Sequence, residues 1–100
     1  MGERRDRGVP APAGLSAAAF LAEVERACAG VAGITVEPRD GYLSVTIELA
    51  AVPDGLSERT RTLISAFPAE DDGVRRLRVD VRNRQWAAMV VEIANALRSH

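Results

Sequence analysis

The chain has 100 residues, of which 47% are apolar and 27% charged, with a formal net charge of −1. That length holds one domain, and the balance of charge excludes both a disordered chain and a nucleic-acid binder driven by bulk basicity. Seventeen of the apolar residues are alanine, so the core rests on few large side chains. Stability is expected near the low end of the usual ~5–15 kcal/mol.

Residues 1–14 mix Gly, Pro and charge without periodicity, which predicts a disordered tail. No apolar region of a secretory signal follows its charged start. The longest apolar runs, residues 17–22 and 87–91, fall far short of the roughly 20 residues that span a bilayer. Residues 15–100 are then a single domain. From Leu15 the pattern is helical, with Ser16 as its N-cap and Phe20, Val24, Ala27 and Cys28 on one face. Gly30 stops that helix.

Residues 34–37 alternate as a short strand, and residues 38–41 form a turn around Asp40-Gly41. Residues 42–50 alternate cleanly. Leu43, Val45, Ile47 and Leu49 take one face, and Tyr42, Ser44, Thr46 and Glu48 the other. Pro53, Asp54 and Gly55 break the pattern. Ser57 then caps a second helix carrying Leu56, Thr60, Leu63, Ile64 and Phe67, which Pro68 ends. An acidic loop (Glu70, Asp71, Asp72) precedes a third strand over residues 74–81. There Leu77, Val79 and Val81 oppose Arg76, Arg78, Asp80 and Arg82. Asn83 caps a last helix whose stripe is Trp86, Met89, Val90, Ile93 and Leu97. The order α-β-β-α-β-α, with one apolar face per element, predicts an α+β two-layer sandwich: a three-stranded sheet with its helices packed on one face.

Catalytic and metal chemistries find little support. The only histidine is His100, at the terminal residue, where no triad geometry can be held. Cys28, the only cysteine, has no disulfide partner and falls on an apolar helical stripe, where it reads as a small buried hydrophobe. The Glu70-Asp71-Asp72 run lacks the alternating ligands and distal glutamate of a calcium loop and reads as a solvated turn. No phosphate loop occurs. Gly30-Val31-Ala32-Gly33 matches a bare GxxG, but it joins a helix to a strand and lacks basic middle residues. It reads as a helix C-cap and a tight strand entry. No metal, cofactor or catalytic residue is assigned, and the chain reads as non-enzymatic.

The polar sheet face is the expected functional surface, with Arg76, Arg78, Arg82, Tyr42, Glu37 and Glu48 as its interaction residues. Residues 74–84 hold five arginines against Asp80, a local charge of +4. Such a patch can meet phosphates, yet single-strand binding sheets need exposed aromatics, and Tyr42 is the only one offered. The plainer expectation pairs Arg76, Arg78 and Arg82 with Glu37, Glu48 and Asp80 across the sheet.

Residues 24–83 resemble the alkaline shock protein family of bacterial envelope-stress proteins. The resemblance rests on Cys28-Ala29-Gly30-Val31-Ala32-Gly33-Ile34, where a helix ends in a Gly-Val-x-Gly-Ile turn. A strand hairpin, a helix and the valine-rich strand around Leu77, Val79 and Val81 follow. Where the family usually carries Val-Pro-Gly-Val, this chain has Cys-Ala-Gly-Val. BON domains share a similar α-β-β-α-β order, as would a ferredoxin-like fold lacking its first strand. The resemblance implies no catalysis, but a small cytoplasmic or membrane-peripheral protein that self-associates and binds partners. An all-arginine basic set fits codon bias in a GC-rich bacterial genome, and a lone cysteine fits the cytoplasm. The leading expectation is a self-associating interaction or scaffold domain, a homodimer with a stress or regulatory role. The alternatives are a nucleic-acid-binding module using residues 75–84 and an accessory subunit of a larger enzyme.

Overall fold

A computed structural model describes residues 12–99, with side chains from residue 19 onward. Its elements are α1 (Pro12–Cys28), β1 (Ile34–Arg39), β2 (Tyr42–Leu49), α2 (Glu58–Ser65), β3 (Arg75–Val81) and α3 (Arg84–Arg98). This is the α-β-β-α-β-α order that the hydrophobic periodicity predicts. The strands form one antiparallel sheet in the order β1-β2-β3.

Helices α1 and α3 pack against each other, α1 also against β1, α3 against β3, and α2 against α3. The core joins Val24 and Cys28 of α1, Ile64 of α2, and Ala87, Val90, Ile93 and Ala94 of α3 to the apolar sheet face. On that face Leu43, Val45, Ile47, Leu49, Leu77, Val79 and Val81 are all buried, and Ile34 and Val36 are half-buried. Period-2 alternation therefore puts one apolar face under the helices, as expected.

Several boundaries differ from the sequence reading, each for a local reason. Helix α1 begins at Pro12, so Ser16 lies inside it rather than capping it. Proline suits a first helical turn, where its missing N–H has no intrahelical partner anyway. Residues 12–14 of the expected tail thus belong to α1, and residues 1–11, like His100, lie outside the described residues. Strand β1 runs on to Arg39, leaving Asp40-Gly41 as a two-residue hairpin loop with Gly41 at φ 85°. Trp86 is half-buried at the edge of the core rather than fully enclosed.

The glycine turn between α1 and β1 has a steric cause. Gly30 adopts φ 73° just past the helix, the left-handed position that favours glycine. Gly33 adopts φ 90°, and a Cβ there would stand 2.9 Å from the Glu48 carbonyl oxygen. The Glu48 N–H donates to the Gly33 carbonyl at 2.7 Å. The GxxG is a cap and a close strand approach.

Candidate functional site

Alternation and register place the polar residues of the three strands in rows across the face turned away from the helices. Glu48 lies opposite Arg76. Next come Thr35, Thr46 and Arg78, then Glu37, Ser44 and Asp80. Arg39 and Tyr42 follow, with the Arg82 guanidinium stacked over the Tyr42 ring at 3.7 Å from its centroid. All six residues expected from sequence therefore share this face.

Arg76 is the most heavily engaged of them. It donates to Glu48 at 3.1 Å, to Glu70 at 2.8 Å and to Asp72 at 2.7 Å. The Asp72 carboxyl is held below the ordinary carboxylate range, first by the Arg76 hydrogen bond and then by the Val74 N–H. The bonds that Arg76 donates to Asp72 and Glu48 raise its guanidinium above the ordinary value. Three carboxylates around one guanidinium leave this row acidic. The Thr35–Thr46–Arg78 row is basic, the Glu37–Ser44–Asp80 row acidic, and the Arg39–Tyr42–Arg82 row basic. Charge thus alternates in sign along the strand direction.

Among the described residues, the expected cross-sheet pairing holds for Arg76 and Glu48 alone. Glu37 instead pairs with Arg39 at 3.0 Å, and Arg82 approaches Asp80 on its own strand at 3.8 Å. Arg78 faces Thr46 and makes no ion pair among the described residues. A stripe read from sequence cannot distinguish these cases, because they depend on which residue the register sets opposite.

The arginines of residues 75–84 do not form one basic patch. Arg75 donates to the Phe67 carbonyl at 2.7 Å, satisfying main chain just past α2. Arg84 lies instead by the groove between α1 and α3. Tyr42 is half-buried beneath Arg82. Elsewhere Arg98 donates to the Arg26 carbonyl at 2.8 Å and the Ala29 carbonyl at 3.3 Å, closing the end of α1. Arg61 donates to the Leu56 carbonyl at 2.6 Å.

Periodicity gave no sign of the role of Glu92. Its carboxylate accepts from the Ser57 N–H, from Ser57 Oγ at 3.1 Å and from Thr60 Oγ1 at 2.6 Å. In a capping box the residue at the third helical position returns a bond to the N-cap N–H. Thr60 occupies that position in α2, and Glu92 of α3 supplies the bond from a distance. The Thr60 hydroxyl first, then the Ser57 N–H, hold the Glu92 carboxyl below its ordinary range.

Other places hold less chemistry. The groove between α1 and α3, about 760 Å³, is lined by Phe20, Ala87, Val91 and charges of both signs. Cys28 is 4% exposed, and burial raises its thiol above the ordinary value, with the Arg98 charge opposing. Among the described residues no three His, Cys, Asp or Glu side chains are grouped to hold a metal ion, and no helix is long and apolar enough to cross a membrane. No protein-family model, curated protein or solved structure matches the chain.

Proposed function

We propose that this chain is a non-enzymatic interaction domain that self-associates through its sheet. The observation that carries the reading is the face turned away from the helices, whose rows of charge alternate in sign along the strands. A surface of that kind complements a reversed copy of itself, because a two-fold axis that reverses the strand direction sets each acidic row against a basic one.

The resemblance to alkaline shock proteins extends the reading to a bacterial stress or regulatory role. A single cysteine held in the core supports a cytoplasmic setting. The nucleic-acid alternative loses support from the dispersal of the arginines: Arg75 serves a main-chain carbonyl, Arg76 three carboxylates, and Arg82 the Tyr42 ring.

Sedimentation velocity across a concentration series, at roughly 0.1 M and roughly 1 M salt, tests the proposal. A dimer that weakens at the higher salt is expected, because its attraction lies between exposed charges. A monomer at high protein concentration in low salt refutes self-association. Tight, steeply salt-dependent binding of single-stranded RNA by that monomer would transfer the function to nucleic acid.

A further inference from the structure

We infer that the partner is a second copy of this chain, added edge to edge. Its β3 pairs antiparallel with β3 about a two-fold axis at Val79, which sets Arg78 opposite the partner's Asp80. The inference rests on the self-association proposed above and specifies its geometry.

Two hydrogen bonds show which way the backbone of each strand points. The Glu48 N–H donates to the Gly33 carbonyl, so even-numbered residues of β2 direct their main-chain groups at β1, and odd-numbered ones at β3. The odd residues of β2 lie opposite Arg75, Leu77, Val79 and Val81. The main-chain groups of Arg78 and Asp80 must then point outward. Independently, the Val74 carbonyl accepts from the Glu70 N–H at 3.0 Å, beside a bridge between Ala69 and Arg75. That bond gives β3 the same parity.

The two sheet edges differ in how far they are closed. Along β1 the outward positions are Ile34, Val36 and Pro38. The Ile34 N–H already donates to the Val31 carbonyl at 3.3 Å, and Pro38 has no N–H. Proline therefore fits this strand without breaking its ladder, and it blunts the edge. Along β3 the segment at Ala69 and Glu70 closes only the start. Among the described residues, the outward N–H and C=O of Arg78 and Asp80 make no hydrogen bond, which leaves a strand edge open to pairing.

Charge selects the register. A two-fold axis at residue 78 or 80 sets like charges directly opposite each other, which is destabilising. An axis at Val79 sets Arg78 against Asp80 in both symmetry-related positions, each exchanging both backbone bonds. The pairing stops short of Arg76, whose outer side the segment at Ala69 and Glu70 already borders. On the covered face Leu77 then meets Val81, so both faces keep their character in a continuous six-stranded sheet.

A charge swap at Arg78 and Asp80 tests the register on the full-length chain by sedimentation, with circular dichroism to confirm the fold. Both side chains are exposed, so the variants keep the monomer intact. Arg78→Asp and Asp80→Arg should each weaken the dimer on the order of tenfold or more, and the double variant should restore it. Amide exchange at Arg78 and Asp80 should slow as protein concentration rises; stacked sheet faces would give the same charge-swap result but leave these N–H groups exchanging as in the monomer, and that outcome overturns edge pairing. A dimer indifferent to both single variants overturns edge pairing and leaves self-association standing. Loss in the single variants without rescue in the double overturns the register. A full-length monomer in low salt overturns self-association and edge pairing together.

Discussion

Removing the Glu92 carboxylate should unfasten α2 from α3. Glu92→Ala deletes the acceptor of the Ser57 N–H, Ser57 Oγ and Thr60 Oγ1. The Ser57 groups lie on the exposed side and can turn to water, so their loss is cheap. Thr60 has no exposed surface, and its hydroxyl proton loses its acceptor inside the protein. A buried donor left unpaired costs about 1–3 kcal/mol, and a lost cap about 1 kcal/mol. Allowing for the exposed half of the site, the expected loss is about 2 kcal/mol, or about 8–16 °C in Tm for a domain of this size. Glu92→Gln keeps one carbonyl acceptor and should fall between. The effect carries a pH signature. A carboxyl whose folded pKa lies below its unfolded value, about 4.3 for glutamate, adds stability above that pH and loses it as pH falls through the folded value. Thermal melts of wild type and Glu92→Ala at neutral pH and at about pH 3 measure both. The gap between them should narrow in acid. An alanine variant melting within about 2 °C of wild type, or a gap unchanged by pH, would show that the distal cap contributes nothing.

Two further predictions concern the glycine turn and the core. Gly33→Ala should cost about 3 kcal/mol in chemical denaturation, since it adds a positive φ to a backbone clash with Glu48. Gly30→Ala, with open space around it, should cost about 1 kcal/mol; equal losses would remove the close approach as the cause. Cys28 should react with an aromatic disulfide reagent only as fast as the domain opens, because its thiol is buried and its pKa raised. Reaction in the native state at the rate of a free thiol would place Cys28 outside the core.

The order of elements was legible in the sequence because burial on one face leaves a period. Leu43, Val45, Ile47 and Leu49 alternate where a strand lies under helices, and Trp86, Met89, Val90 and Ile93 recur where a helix lies on a sheet. Capping was legible at Ser57 and Asn83, whose side chains accept from Thr60 at 3.3 Å and Trp86 at 3.0 Å, because a cap acts within its own turn. Local rules failed where a residue's meaning depends on a distant one. Pro38 reads as a turn until the register shows its missing N–H pointing away from the sheet. Arg75, Arg76 and Arg78 look alike as a basic run, yet one closes a carbonyl, one gathers three carboxylates, and one is left without an ion pair. Glu92 carries no periodic signal, since its partners lie more than thirty residues away, at Ser57 and Thr60. Sequence alone determined which faces are apolar, because the hydrophobic effect acts on each side chain by its own surface. Tertiary structure decided which charges are spent and which edge is open, because hydrogen bonds and ion pairs exist only between groups that the fold brings within about 3 Å of each other.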